Sequence, residues 1–234
     1  MAGTSRKSVI VARELTRLYH LGGCDVVGIS DVDLDISRGE LVTLKGESGS
    51  GKSTLLSLLA GLDRPTRGAL TVAGQDLGKA SEAELTRYRR NVVGMVFQSF
   101  NLLPTLSVLE NVSLPALLAG RPRPHVRARA QELLEWLGLS SRSHHLPAQL
   151  SGGEMQRTAI ARALINDPAI ILADEPTGNL DSRNGRIVVE LLTEHNRKSG
   201  STVIIATHST IADTFATSTI FLEDGVIIES TCRI

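Results

Sequence analysis

A segment rich in glycine and serine occupies residues 46–53, with the sequence GESGSGKS. Glycines there let backbone N–H groups approach a chain of phosphates, and the start of a helix adds a positive dipole end. Lys52 is spaced to reach the β- and γ-phosphates, and the hydroxyl of Ser53 to ligate Mg²⁺. An apolar strand pattern precedes the segment and a helical pattern follows it, as such a loop requires. We therefore expect a site for a nucleoside triphosphate and Mg²⁺, formed by Gly46, Ser48, Gly49, Ser50, Gly51, Lys52, Ser53 and Thr54.

An acidic pair, Asp174 and Glu175, directly follows the apolar residues 169–173. Open α/β sheets bind ligands at the carboxyl ends of their strands, where Asp174 would hold Mg²⁺. Glu175, the next residue, is placed to polarise an attacking water as a general base. Such a pair by itself is more often a helix cap or part of a solvated loop. Together with a phosphate-binding loop it predicts hydrolysis of the bound triphosphate.

Alternating strand and helix patterns predict the scaffold that positions these two segments. Strands are expected at residues 32–36, 41–45, 69–73, 92–97, 169–173 and 202–207, with a closing hairpin around residues 224–225. Residues 74–76 are expected to end the third of these strands. Apolar residues 55–60, stopped by Gly61, predict the helix that follows the phosphate-binding loop.

The middle of the chain, residues 101–149, has a helical pattern instead. Ser107 with Glu110 has the spacing of a helix capping box, as Ser81 with Glu84 has earlier in the chain. Residues 126–137 form an amphipathic pattern closed by a glycine. We expect one domain over residues 1–234, with a core lobe at about 1–97 and 158–234 and a helical lobe at about 98–157.

The composition limits the classes of partner. Lys and Arg together number 25, as do Asp and Glu, so the net charge gives no basis for nucleic acid as the main partner. No apolar run approaches the roughly 20 residues that span a bilayer, and the polar residues 1–7 do not resemble an export signal. Cys24 and Cys232 have no metal-ligand spacing and are ordinary in a reducing cytoplasm. We therefore expect a soluble protein that reaches any membrane through a partner.

Residues 150–157, with the sequence LSGGEMQR, resemble the signature motif of the ABC ATPases. A serine and two glycines at a helix N-terminus again present N–H groups and a positive dipole end to an anion. A compact subunit could not easily present two such cradles to one nucleotide. In the family, the signature contacts the ATP bound to the opposite subunit, which implies a dimer of two copies with contacts from Ser151, Gly152, Gly153 and Glu154.

The resemblance covers about residues 9–230 and assigns roles to further positions. Gln98 resembles the glutamine that touches Mg²⁺ or the water, and His208 resembles the switch histidine that contacts the γ-phosphate. Asp181 lies in a segment similar to the loop that crosses the dimer interface, and Tyr19 stands where the family stacks an aromatic ring on adenine. The resemblance implies an α/β fold with a P-loop NTPase core, in which a RecA-like mixed sheet and an antiparallel β lobe are joined by an α-helical signature lobe. It also implies an ATPase that uses ATP and Mg²⁺, with catalytic roles for Lys52, Gln98, Glu175 and His208 and metal ligation by Ser53, Gln98 and Asp174.

A narrower similarity links the chain to the lipoprotein-release and macrolide-export group of ABC ATPases. It rests on residues 97–104, 109–112 and 173–181. It implies a separate integral membrane permease as partner and a position on the cytoplasmic face of the cell membrane. Ser209 departs from the family, which has an acidic residue after the switch histidine, so the sequence leaves open how His208 is positioned.

Other classes of ABC ATPase share these nucleotide-binding motifs. A soluble ABC ATPase of the iron–sulfur assembly type shares every nucleotide motif, so co-purification with a membrane protein would discriminate. DNA-repair and chromosome ATPases carry long coiled-coil or zinc insertions before the signature, and this insert is short, without heptads or cysteine pairs. A translation-factor protein of this kind needs two cassettes in one chain. We expect the transporter subunit.

Overall fold

A computed structural model describes residues 7–232. Residues 1–6, which carry most of the segment interpreted as lacking an export signal, and residues 233–234 lie outside the described residues. Among those described, no helix is both long and apolar enough to cross a membrane.

An antiparallel sheet forms one lobe, with the strand order β2-β1-β4-β5. Its strands are β1 (Ser8–Leu21), β2 (Cys24–Ser37), β4 (Arg67–Val72) and β5 (Gln75–Asp76). The sequence patterns predict neither β1 nor the amino-terminal half of β2. Register shifts between Ala12 and Arg17, with a positive φ of 47° at Glu14, interrupt the alternation that marks a strand. Residues 75 and 76, expected to end a strand, pair with β4 as a short strand of their own.

A six-stranded sheet carries the phosphate-binding loop, with the order β10-β9-β3-β8-β7-β6. Its strands are β3 (Leu41–Lys45), β6 (Val93–Val96), β7 (Ile170–Asp174), β8 (Thr202–Ala206), β9 (Ser218–Glu223) and β10 (Val226–Cys232). The pairs from β9 through β6 are parallel, and the closing hairpin β9–β10 is antiparallel. Strand β3 therefore ends beside β8, and β8 beside β7, so the loops that follow these three strands meet at one edge.

Six α-helices complete the described part of the chain. They are α1 (Lys52–Leu59), α2 (Glu82–Asn91), α3 (Val108–Leu118), α4 (Arg123–Trp136), α5 (Gly152–Leu164) and α6 (Ser182–Ser199). Both predicted capping boxes are present, at the N-termini of α2 and α3. Helices α3, α4 and α5 pack on one another as the helical insert. The expected lobe boundary at residues 157–158 falls inside α5, so this helix passes from the insert into the core.

Two apolar clusters hold these layers together. One joins the antiparallel sheet to α1 and one face of the parallel sheet, and it includes Ile10, Leu34, Leu56 and Leu172. The other joins the opposite face of that sheet to α3, α4, α5 and α6. Because the parallel strands are covered on both faces, β3 and β8 are buried along their whole length.

Candidate functional site

A cavity of about 620 Å³ opens where the phosphate-binding loop meets the ends of β7 and β8. The structure brings twelve of the residues singled out from the sequence into its lining: Tyr19, Gly46, Ser48, Gly49, Gly51, Lys52, Ser53, Thr54, Gln98, Asp174, Glu175 and His208. Sequence reasoning missed three further lining residues from β2: Val26, Val27 and Gly28. Ser50, also a residue of this loop, is buried and does not line the cavity.

The phosphate-binding loop takes a backbone path that requires glycine at two positions. Gly46 has φ 147°, and a Cβ there would lie 2.2 Å from the carbonyl oxygen of Leu222. Gly51 has φ 102°, and a Cβ there would lie 2.5 Å from the carbonyl oxygen of Gly28. Any side chain at either position would therefore force the loop away from its neighbours. Helix α1 begins at the next residue, which leaves its first N–H groups at the mouth of the cavity.

Lys52 is held at the loop by two backbone carbonyl oxygens. Its ammonium donates to the carbonyl of Gly46 at 2.8 Å and to that of Glu47 at 2.7 Å, and the residue is only 7 % exposed. A buried cation so placed suits a polyphosphate. The dipole of α1, whose N-terminus lies at the same loop, would also stabilise the negative charge of a bound polyphosphate.

Asp174 ends β7 and hydrogen-bonds the side chain of Ser53. Burial raises the pKa of Asp174, an effect that the Ser53 hydrogen bond and Lys52 oppose and that the neighbouring Glu175 reinforces. A hydroxyl, a carboxylate and the side-chain amide of Gln98 all line the cavity, and hard oxygen donors of this kind are those that Mg²⁺ takes together with substrate phosphates. These residues therefore fit the metal expected from the sequence.

Glu175 has the geometry of a base directed into the cavity. Its φ of 43° is unusual for a residue with a side chain. One carboxylate oxygen, Oε1, lies 2.9 Å from Nδ1 of His208. The other, Oε2, is buried and has no hydrogen-bond partner among residues 7–232. That oxygen therefore has an unused capacity to accept a hydrogen bond, which a water admitted beside it would satisfy.

Gln98 is tied to a residue that the sequence analysis did not single out. Asn179 donates from Nδ2 to the backbone carbonyl of Gln98 at 2.9 Å and accepts from Nε2 of Gln98 at 3.5 Å. Gly178 makes room for this contact, because a Cβ there would lie 2.7 Å from that Nε2. Asn179 thus joins the loop after β6 to the loop after β7. The only signal for it in the sequence was its place in residues 178–181, with the sequence GNLD, the segment that also contains Asp181.

Tyr19 forms one wall of the cavity with a fixed orientation. Its hydroxyl donates to Oδ2 of Asp63 at 3.0 Å, and the guanidinium carbon of Arg17 lies 4.6 Å from the ring centroid. Arg17 also donates to Asp63 at 2.8 Å. A Cβ at Gly28 would lie 2.7 Å from the Tyr19 ring, so glycine is needed for the ring to adopt this position. A held aromatic ring of this kind suits stacking on a planar base.

The signature residues do not join this cavity in the single chain. Ser151 is an exposed N-cap of α5: its Oγ accepts from the N–H of Glu154, and Glu154 accepts in return from the Ser151 backbone and hydroxyl. These bonds, with a smaller contribution from Arg142, lower the pKa of Glu154 to about 2. Asp181 likewise caps α6 by accepting from Asn184. None of the five signature-side residues lines the cavity of their own chain: Ser151, Gly152, Gly153, Glu154 and Asp181. Ser151 and Asp181 are exposed, and Gly153 is buried.

Known proteins resemble this chain over most of its length. The family described as "ABC transporter" matches residues 29–178. A macrolide export ATP-binding/permease protein of Rhodopseudomonas palustris is 50 % identical over 221 residues, which are 94 % of this chain and 34 % of that protein. An uncharacterized ABC transporter ATP-binding protein of Methanocaldococcus jannaschii is 46 % identical over 94 % of this chain and 98 % of its own length. The chain thus spans about a third of the macrolide-export relative and nearly all of the archaeal one.

Solved structures share the fold. The dimeric structure of the ABC transporter cassette MJ0796 superposes with a TM-score of 0.89 at 41 % identity, covering 95 % of this chain and 98 % of that one. A second structure of the same cassette, a dimeric post-hydrolysis state bound to ADP and Pi, also has a TM-score of 0.89, with the same coverage and 40 % identity. These similarities confirm the predicted fold class.

Proposed function

Since the chain belongs to the ABC transporter family, we infer that it is a Mg²⁺-dependent ATPase that dimerises around two ATP molecules and drives a separate membrane permease. The observation that carries this function is the division of the nucleotide-binding residues. Lys52, Asp174, Glu175 and His208 meet in one cavity, whereas the signature of the same chain lies outside it. A second copy would complete each site. The dimeric cassette that resembles this chain supports the same association.

The chemistry proposed for this cavity is attack of a water on the γ-phosphorus, which forms a new P–O bond and breaks the bond to the oxygen that bridges to the β-phosphate, so that ADP and inorganic phosphate leave. Mg²⁺, held by Ser53, Asp174 and Gln98, would neutralise charge on the phosphate oxygens. Lys52 and the N–H groups at the start of α1 bind the phosphates. Glu175 accepts a proton from the water through its unpaired Oε2, and His208, hydrogen-bonded to Oε1, orients that carboxylate and faces the γ-phosphate.

Tyr19→Ala should raise the KM for ATP by about 5- to 150-fold with a modest loss of kcat. Stacking of a base on an aromatic ring contributes about 1–3 kcal/mol, and most of it is the same in the ground and transition states. Steady-state hydrolysis over a range of ATP concentrations measures both constants. Tyr19→Phe is the matched control: it keeps the ring and loses only the bond to Asp63, so its KM should stay within about threefold of wild type. An unchanged KM in Tyr19→Ala would make this residue a packing residue.

The surface proposed to meet the permease lies beside Gln98. A groove of about 340 Å³ runs between the core and the helical insert, lined by Leu62, Met95, Phe97, Pro115 and Arg162 among others. Arg162 donates to the carbonyl of Phe100 at 2.7 Å, which connects the groove to the loop that follows Gln98. Further along this loop Leu103 is 44 % exposed, whereas Leu102 and Leu106 are half-buried. Nucleotide state and permease contact can therefore share one loop.

Leu103→Glu should uncouple transport from hydrolysis while the protein stays folded. The side chain is exposed, so the charge costs little stability, but it would disrupt an apolar contact with the permease. A tagged chain captured from solubilised membranes should bring down the permease as wild type and lose it as Leu103→Glu, at an unchanged basal ATPase rate. Leu118→Glu, which adds the same charge at a more exposed leucine of the insert, should retain the permease.

Loss of folding in Leu103→Glu would instead make this leucine part of the core of the insert. Recovery of the wild-type chain without any membrane protein would favour the soluble iron–sulfur assembly type. The partner proposed here is a permease of the macrolide-export or lipoprotein-release type. The reason is that the chain is 50 % identical, over 221 residues, to a macrolide export ATP-binding/permease protein. This partner would place the chain on the cytoplasmic face of the cell membrane.

A further inference from the structure

Lys45 is a buried lysine that no step of the proposed mechanism uses. It is the last residue of β3, directly before the phosphate-binding loop, and its side chain is 10 % exposed. Its ammonium lies 2.7 Å from Oδ1 of Asp213 and donates to the backbone carbonyl of Ser209. Both partners lie more than 160 residues further along the chain, in the loop and short helical turn that follow β8. A charge buried in this way is retained only with such partners.

The segment that Lys45 contacts is the one that carries His208. Sheet pairing of this segment ends at Thr207, whose N–H donates to the carbonyl of Leu44 at 3.0 Å. Beyond it the backbone is held by its own short turns: Ser209 N–H donates to Oγ1 of Thr207, and Ile211 N–H donates to Oγ of Ser209. Such local bonds set the shape of the loop but not its distance from the phosphate-binding loop. Lys45 supplies that connection across the sheet edge.

Lys45 lies on the far side of the loops from the nucleotide. It lines a separate cavity of about 600 Å³, together with Asp213, Thr210 and Phe221. His208 and Gly46 line this cavity and the nucleotide cavity alike, whereas Lys45 lines only this one. Lys45 therefore reaches the reacting groups only through the two loops that it connects.

We propose that Lys45, paired with Asp213, is a positioning residue that fixes His208 relative to Glu175 and the phosphate-binding loop. The inference rests on the proposed ATPase function and extends it to a residue outside the nucleotide cavity. The Lys45 ammonium is held by one charged and one neutral partner, the carboxylate of Asp213 and the backbone carbonyl of Ser209. The loop is thus anchored by a lysine on the neighbouring strand.

The test is a double-mutant cycle between Lys45 and His208, with kcat, KM for ATP and the melting temperature measured for each variant. Lys45→Met keeps the length of the side chain and removes its charge. It should lower kcat about 10- to 100-fold, as expected for a small misplacement of a reacting group, with KM within about threefold of wild type. In a His208→Ala background the same change should lower kcat less than about threefold, because the residue through which Lys45 acts is already gone. Single-turnover hydrolysis keeps these low rates measurable.

Three further variants separate positioning from folding. Lys45→Arg keeps the charge and its donors beside a cavity with room for them, and should restore kcat to within about fivefold of wild type. Asp213→Asn affects the more exposed partner, so it gives the same test if Lys45→Met does not fold. Asp213→Asn should lower kcat less than Lys45→Met does, and this loss should also vanish in the His208→Ala background. Lys79→Met removes a lysine from an exposed pair with Asp76 and should leave kcat at the wild-type value.

The outcomes distinguish this inference from the function on which it rests. Hydrolysis at the wild-type rate in His208→Ala would overturn the proposed role of that histidine, and the inference with it. A slow His208→Ala variant beside a fast Lys45→Met variant would overturn the inference alone. Equal losses of kcat from Lys45→Met in both backgrounds would do the same, because a residue that only stabilises the fold gives independent effects.

Discussion

Glu175→Gln is expected to lower the kcat for ATP hydrolysis by about 10²- to 10⁴-fold while MgATP still binds. The amide has the size of the carboxylate and can still contact His208, but it cannot take a proton from the attacking water. The unpartnered Oε2, buried at the cavity wall, is the atom whose basicity is lost. Since bound ATP would then persist, the variant should accumulate as a dimer that size-exclusion chromatography resolves in the presence of ATP.

The matched control for this variant is Glu190→Gln. It removes a carboxylate from an exposed ion pair with Arg186 on α6, and neither residue lines the cavity. Exposed pairs contribute about 0–1 kcal/mol, so rate and oligomeric state should match wild type. A Glu175→Gln variant that hydrolyses ATP at the wild-type rate would show that another group accepts the proton.

Tagged heterodimers with two lesions should reveal a shared site by the number of nucleotides they retain. If each ATP lies between Lys52 of one subunit and Ser151 of the other, Lys52→Ala in one chain and Ser151→Ala in its partner damage the same site. The second site stays intact, and one MgATP should remain tightly bound. With both substitutions in one chain and a wild-type partner, each site carries one lesion, and neither should hold nucleotide tightly.

The measurement is the number of nucleotides bound per dimer rather than the rate of hydrolysis, because cooperativity between the two sites could abolish hydrolysis at an intact site. Ser151→Ala also removes a helix cap, which costs about 1 kcal/mol, so Ser107→Ala serves as control: it removes the same kind of capping box from α3. Heterodimers carrying Ser107→Ala in place of Ser151→Ala should retain one nucleotide in either arrangement. Sites built within single subunits would reverse the pattern for Ser151, and equal occupancy would leave the shared site without support.

Local motifs account for what could be predicted before the structure. The phosphate-binding loop, the acidic pair at the end of β7 and both predicted capping boxes depend on residues within a few positions of one another, and each lies where expected. The sequence also contains signals for helix α6 that the sequence analysis did not use. They are Asp181 as N-cap, the apolar spacing of Val188, Val189 and Leu192, which are buried in the structure, and a glycine at the end, Gly200, which has φ 67°. Strand β1 had no comparable signal, because its irregular register breaks the two-residue alternation.

The sequence by itself determined the chemistry available to this protein, because spacing within a loop or a helix turn fixes which groups can meet one phosphate or cap one helix. It did not determine which distant loops meet. His208 lies beside Glu175 across 33 residues, Gln98 beside Asn179 across 81, and Lys45 beside Ser209 across 164. Those contacts follow from the order of β3, β8 and β7 in the sheet and from the packing of the insert on the core. These three strands are buried on both faces and have similar apolar sequences, so no local pattern distinguishes the order in which they pair. Only the tertiary structure, therefore, gives Lys45 its partners and leaves the signature outside the cavity of its own chain.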